Sequence, residues 1–431
     1  MRKRVSTRNS RYRNGQTSRL RVAVVAECFP NYRRAVLAEL ARDPGIECSF
    51  LGGRKPLLEG YHTIQPDHGN SFVPLRTVGF GHLRWQHGLL REIFTRQYDA
   101  FVMTGDWAFI STWVGAVLAR MLGRPVLFWT HGWNRPESGI RLTLRRSFYR
   151  LADGLLLYGQ HGRTLAEKFG FQSDRIYVVY NSLDLPEQLA AAAEIKQDAV
   201  SEFLAKNFSD PHLPLIVSSF RLVRERSVGE CLQAVAHLYH NGFPINYLVV
   251  GEGPDLVRLR SISVDLEIPV VFFGACYDEQ TLAIIYAAAA VSLAPRMVGL
   301  SALQSLAYAT PVLTCDNIED QTPEWEILED GISAGFFPAG DVIAMSRVIQ
   351  KWITLAQNDG INPEILRRQL VEKYNPTEQA RRIGAAVRTV AGCQETFPAP
   401  PRPIEGNGHG RAWLRAGPTD DRCRGTIQHP G

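Results

Sequence analysis

The 431-residue sequence is poor in cysteine: seven residues, at positions 28, 48, 231, 276, 315, 393 and 423, with no CxxC pair among them. Neither a disulfide framework nor a thiolate metal site is therefore encoded, and a reducing, cytoplasmic compartment fits this usage. Long apolar runs are missing too. The longest uncharged one, around residues 283–295, falls short of the roughly 20 residues that a membrane-spanning helix requires. There is no DxD tripeptide and no His/Cys cluster with ligand spacing, so no metal site is expected. Acid is absent from the first 21 residues, which hold eight basic side chains and lack the apolar core of a signal peptide. Of 48 basic residues this leaves 40 against 43 acidic ones, so the net charge of +5 sits in a basic disordered arm over 1–20 and not on a folded face. A nucleic-acid binder, which needs a basic face interleaved with aromatics, is disfavoured. The arm suits an anionic membrane leaflet or plain solvation.

What is present is a globular composition, 45% hydrophobic and 21% charged, over a length sufficient for two domains. Strand-like runs alternate with helical ones, the pattern of parallel α/β sheets, and the series occurs twice. In the first half the strands read 21–26, 46–51, 100–104, 125–130, 154–158 and 176–180, with helices such as 107–122 and 142–152 between them. In the second they read 215–220, 246–250, 270–273, 290–294 and 311–315. Two doubly wound, Rossmann-like domains follow, over 21–188 and 211–374, joined by a linker over 189–210 that opens with a surface helix. A C-terminal helix over 375–393 is placed to cross back to the first domain. From 394 to 431 six prolines and six glycines interrupt the pattern, and disorder is expected.

In open parallel sheets, ligands sit beyond the carboxyl ends of the strands, where helix N-termini offer amides to anions. The turn Val250-Gly251-Glu252-Gly253-Pro254 admits two readings, a tight turn or direct phosphate contact. In Pro295-Arg296-Met297-Val298-Gly299-Leu300-Ser301, with Gln304 one turn on, a strand ends and a glycine-containing loop opens a helix, so the amides of Val298 to Ser301 are candidates for a diphosphate. Arg221 and Arg226 follow the strand read over 215–220 and suit bidentate phosphate contact. In the first half, His131 ends a strand against Gly132, and Pro30, Asn31 and Tyr32 shape the loop after the first strand. An arginine-rich stretch at Arg141, Arg145, Arg146 and Arg150, interleaved with Leu142, Leu144, Phe148 and Leu151, is either a bilayer-facing helix or one packed on the sheet.

Taken in order, these fragments resemble the retaining glycosyltransferases of family 4, over about residues 21–390. The residues are the strand ending Phe220-Arg221-Leu222 with Arg226 after it, VVGEGP at 249–254, FFG at 272–274, the helix around Tyr286 and NSLD at 181–184. The resemblance implies a GT-B fold, two Rossmann-like α/β domains facing an interdomain cleft. It implies transfer from a nucleotide-sugar donor to a glycan or lipid-linked acceptor, without a metal or other cofactor. Arg221 and Arg226 would then contact the donor diphosphate, His131 would orient the sugar or the acceptor, and the Pro30–Tyr32 loop would lie on the acceptor side. Donor contacts fall on Gly251, Gly253, Arg296, Val298, Gly299, Leu300, Ser301, Gln304 and Glu326, the last either on the nucleotide ribose or complementing a helix dipole. One departure stands out. The family carries paired glutamates eight positions apart around the GL step, and those positions are Arg296 and Gln304 here. The stretch with Gln321-Thr322-Pro323-Glu324-Trp325-Glu326 instead resembles a subgroup reading PGxVGLTAxHSLxYGTPVxTHDN and QMPEFE. A non-catalytic nucleotide-sugar binder and an epimerase or hydrolase of the same architecture are the rival readings.

Overall fold

The computed structural model describes residues 19–56, 62–66, 72–358 and 360–393. Nearly all of the basic arm, and the tail over 394–431, lie outside the described residues. The first lobe runs β1 (Leu20–Val25), β2 (Phe29–Pro30), α1 (Arg34–Arg42), β3 (Ile46–Gly52), β4 (Thr63–Ile64), β5 (Phe72–Pro74), β6 (Arg76–Phe80), β7 (Leu83–His87), α2 (Leu89–Thr95), β8 (Ala100–Thr104), α3 (Ile110–Met121), β9 (Val126–Thr130), α4 (Gly139–Tyr149), β10 (Gly154–Leu157), α5 (Gln160–Lys168) and β11 (Ile176–Val178). The second runs α6 (Leu185–Ala193), α7 (Gln197–Asn207), β12 (Leu215–Ser219), α8 (Val228–His240), β13 (Asn246–Val250), α9 (Leu256–Asp265), β14 (Val270–Gly274), α10 (Glu279–Ala288), β15 (Ala289–Leu293), α11 (Leu300–Ala307), β16 (Val312–Cys315), β17 (Ala334–Phe337) and α12 (Val342–Gln357). Helices α13 (Pro363–Glu372) and α14 (Pro376–Val390) follow.

Two parallel sheets result, in the orders β11-β10-β9-β8-β1-β3-β5 and β14-β13-β12-β15-β16-β17. Their order reverses beside β1 and β12, which opens a crevice at the carboxyl end of each sheet. Helices cover both faces, so the central strands are apolar throughout: Phe101, Val102 and Met103 of β8 and every residue of β9 are buried. Helix α14 packs Ala380, Ile383, Ala386 and Val387 into the first lobe's core, and Arg388 pairs with Asp43 there at 2.8 Å. The chain thus returns to its starting lobe.

Several elements were not legible as strands. The pair β2–β4 and the hairpin β6–β7 are too short or too polar to show alternation, and β17 is a four-residue AGFF. The segment 189–210 is mostly helical: α6 and α7 set Ala191 and Phe203 against the second lobe's Leu282 cluster. In α4 part of the apolar face is consumed inside the lobe, while Ile140 and Leu144 stay exposed. Leu142 and Phe148 join its core, Leu151 packs there too, and Arg145 is held by Glu137 at 3.1 Å and by the Gly132 carbonyl at 3.0 Å.

Candidate active site

Between the lobes lies a cleft of about 850 Å³, formed by the loops after the strands. On the second lobe's side, the loop after β12 is sewn to the turn after β13. Phe220 N–H donates to Val250 O at 3.1 Å, Leu222 N–H to Glu252 O at 2.9 Å, and Asp255 N–H to Leu222 O at 3.1 Å. So close an approach requires glycine. A Cβ on Gly251 would stand 2.0 Å from Phe220 O, and one on Gly253 would stand 2.1 Å from Leu222 O. Both glycines line the cleft, and the loop they admit presents the exposed Arg221 to it.

Arg226 lines the same wall, with its guanidinium 5.1 Å from the Phe220 ring centre and its Nη1 donating to Met297 O. Burial lowers its pKa, and the charge of Glu324 opposes that. It therefore clamps the loop before α8 to the loop before α11. Ser227 and Met297, each at φ 53°, hold left-handed backbone at either end of this clamp, a conformation that costs of order 1–3 kcal/mol per residue and gathers at functional sites. Gly299, at φ 57°, then starts α11, and Gly299, Leu300, Ser301 and Gln304 line the cleft.

Three of the expected donor contacts lie elsewhere. Val298 is fully buried and its N–H donates to Gln321 Oε1 at 3.0 Å, so that amide is already satisfied. Arg296 turns to Glu230 at 3.5 Å and Asp320 at 3.6 Å, away from the cleft lining. Glu326 is enclosed against the other lobe: its carboxylate accepts from the amides of Gln160 at 2.7 Å and His161 at 2.6 Å, the start of α5. It therefore binds a helix N-terminus across the lobe boundary. Burial pushes its pKa up to about 7, with those two amides pulling the other way.

On the first lobe's side, Pro30, Asn31 and Tyr32 line the cleft, joined by Arg33 and Arg34. Arg33 donates through Nη2 to the Tyr158 hydroxyl at 2.6 Å and lies 4.4 Å from the centre of the Trp129 ring. His131 ends β9 with its ring 4.9 Å from that of Tyr158 and open to the cleft. Desolvation lowers its pKa; Glu324 opposes this and Arg33 adds to it. A neutral imidazole at this place can both give and accept a hydrogen bond.

Sequence reasoning stopped one residue short of Arg33 and passed over Tyr158. In the NSLD stretch at 181–184, Asn181 Oδ1 accepts from Ser182 N–H at 3.0 Å and its Nδ2 donates to Glu324 Oε1 at 2.7 Å across the lobes. Glu324, 3% exposed, lines the cleft. The available signal was two glutamates in alternate positions, Glu324 and Glu326, of which a short 3-10 turn over Pro323–Ile327 aims one at the cleft and one at α5.

The first lobe matches the model "Glycosyltransferase Family 4" over residues 34–187, and the second matches "Glycosyl transferases group 1" over 213–354. A GDP-mannose-dependent alpha-(1-6)-phosphatidylinositol dimannoside mannosyltransferase of Mycobacterium tuberculosis is 33% identical over 111 residues, 25% of this chain and 29% of that one. The 2-deoxystreptamine glucosyltransferase of Streptomyces kanamyceticus is 26% identical over 242 residues, 50% of this chain and 60% of its own. The match thus spans less than two thirds of either curated relative. Among solved structures, a glycosyltransferase from Rickettsia africae superposes with a TM-score of 0.70 at 11% identity, covering 87% of this chain and 99% of that one. Anabaena Alr3699/HepE in complex with UDP-glucose gives 0.65 at 16% identity, covering 86% and 100%. Both lobes and their order are therefore those of a GT-B glycosyltransferase.

Proposed function

We propose that this chain, a GT-B protein similar to glycosyltransferase family 4, transfers a sugar from a nucleotide-sugar donor to a glycan or lipid-linked acceptor, as in polysaccharide or glycoconjugate synthesis. The reaction is proposed to retain configuration and to need no metal or other cofactor, in a member of the subgroup without the paired glutamates. One observation carries this reading. Arg221, Arg226 and the start of α11 converge on one wall of a cleft whose opposite wall presents His131 and the loop from Pro30 to Arg33.

Breaking the bond between the anomeric carbon and the phosphate oxygen leaves negative charge on the departing diphosphate and oxocarbenium character on the sugar. Guanidinium groups and helix-start amides, set in place before reaction, stabilise that charge without reorganising. The acceptor hydroxyl then forms the new bond and its proton passes to the departing phosphate oxygen, so no side-chain base is required. His131, neutral, orients the sugar or the acceptor by hydrogen bonding.

Among the described residues no helix is long and apolar enough to cross a membrane. Peripheral contact with an anionic membrane at its cytoplasmic face is part of the proposal, and α3 supports it better than α4 does. Its Ile110, Val114, Val117 and Met121 recur on one helical face and are 37%, 43%, 44% and 79% exposed. Residues 76–150 around this stripe contain eleven arginines and four acids.

The test is a panel of nucleotide sugars, UDP-glucose and GDP-mannose included, assayed for binding and for nucleoside diphosphate release with and without a lipid extract. Arg221→Ala should lower acceptor-dependent turnover at least tenfold, about 1.4 kcal/mol of barrier. An unchanged rate removes the phosphate assignment. Binding with no turnover favours the non-catalytic reading, for which the outward-turned Arg296 and uncharged Gln304 are the observations.

A further inference from the structure

Neither residue flanking the Gly299–Leu300 step at a spacing of eight, Arg296 or Gln304, brings a carboxylate to the cleft. Arg296 is engaged by Glu230 and Asp320, and Gln304 reaches the cleft uncharged. A carboxylate does enter the same part of the cleft from another element. Glu324 projects from the turn over Pro323–Ile327, which packs on α11, and is 3% exposed.

Its surroundings separate it from the cleft's other acids. Asp184 and Glu187 are bound to Arg34, at 3.5 and 2.5 Å. Glu252 is exposed at the GxG turn, and Glu279 accepts from the Tyr308 hydroxyl. Glu324 has no ion-pair partner among the described residues. Its Oε1 accepts from Asn181 Nδ2 at 2.7 Å, while its Oε2 accepts no hydrogen bond from them and is not sealed from the cleft. Its charge acts on Arg226 on the diphosphate side of the cleft and on His131 on the other. An acceptor-only group of this kind, locked by one amide and presenting a second oxygen, binds hydroxyl groups.

We infer that Glu324 is the carboxylate that holds the hydroxyls of the donor sugar in this chain, with Asn181 setting its orientation. This rests on the reading of the cleft as a nucleotide-sugar site. The sugar ring then lies between the Arg221–Arg226 wall and His131, its hydroxyls donating to Glu324 Oε2. A nucleoside diphosphate without sugar does not meet Glu324.

The experiment compares wild type with Glu324→Gln, Glu324→Asp and Asn181→Ala, by calorimetric titration with UDP, UDP-glucose, GDP and GDP-mannose. Gln keeps an oxygen for the Asn181 amide, so Glu324→Gln removes the charge and spares the contact between lobes. The expected result is a nucleoside diphosphate affinity within threefold of wild type and a matching nucleotide-sugar affinity at least tenfold weaker. Glu324→Asp should recover part of the loss, and Asn181→Ala should lose less than Glu324→Gln. Equal affinities of wild type and Glu324→Gln for the nucleotide sugar overturn the inference and leave the cleft's function standing. So does an equal loss for sugar-bearing and sugar-free ligands together with a melting temperature lowered by several degrees, the mark of a structural role. Failure of wild type to bind any of the four overturns the donor-site reading, and this inference with it.

Discussion

Replacing Glu326 by glutamine should make the protein more stable above neutral pH, although it weakens a contact that looks favourable. The carboxylate takes two amide hydrogen bonds from the start of α5, each within 2.7 Å, and hydrogen bonds to a charged group contribute about 1.5–3 kcal/mol. Desolvation outweighs them, because the pKa still stands at about 7, well above the ordinary carboxyl value of 4.5. A carboxyl whose pKa is raised by folding contributes stability that is fully present below the unfolded value and lost as pH rises through the folded one. At about 1.4 kcal/mol per unit the loss between pH 4.5 and 8 is about 3 kcal/mol. Glutamine resembles the protonated side chain: its oxygen accepts one amide and its NH2 opposes the other. The two proteins should therefore match near pH 4.5, and Glu326→Gln should gain through neutrality and lead above it. Glu324 and Lys373 are the charged neighbours that act on this carboxyl, and neither changes in the variant. Urea unfolding of both proteins at pH 5, 6, 7 and 8 measures the difference. Midpoints that run parallel over this range, or a variant that is the weaker at pH 8, refute the reasoning.

Gly253→Ala places a Cβ 2.1 Å from a backbone oxygen that cannot rotate away. The melting temperature should drop by an amount equivalent to about 1–3 kcal/mol, and nucleoside diphosphate affinity should fall as the Arg221 loop is pushed out; retention of both would show that the loop yields. His131, held below its ordinary pKa by burial, should leave the rate flat between pH 6.5 and 8. His131→Asn should lower turnover at least tenfold without adding or removing a step in that range, and a step near pH 6.5 present only in wild type would contradict the assignment. Vesicles of anionic lipid should retain wild type and release a Val114→Glu/Val117→Glu double variant. Equal retention of both moves the membrane contact off α3.

The inner strands of both sheets were readable because they are buried on two faces, which makes an apolar run long enough to stand out from its surroundings: VLFW in β9 and YLVV in β13 need no partner to be recognised. The arginines after β12 were readable for the same reason, since a strand end locates its loop. Side-chain direction in irregular segments was not. Val298 lies beside Gly299 in a loop that looks uniform in one dimension, yet its amide is claimed by Gln321, more than twenty residues further along the chain. Arg296 is drawn off by acids on two other segments, Glu230 of α8 and Asp320. Glu324 and Glu326 are the sharper case. Two identical side chains, two residues apart, are sent to opposite duties because a 3-10 turn rotates about 120° per residue, and their partners, Asn181 and the start of α5, belong to the other lobe. The resemblance implies Glu326, and not Glu324, among the donor contacts. Burial and hydrogen bonding reverse that choice for the donor, because a carboxylate with both oxygens bound to amides has little left for a ligand, whereas one with a single oxygen bound is already oriented to receive it.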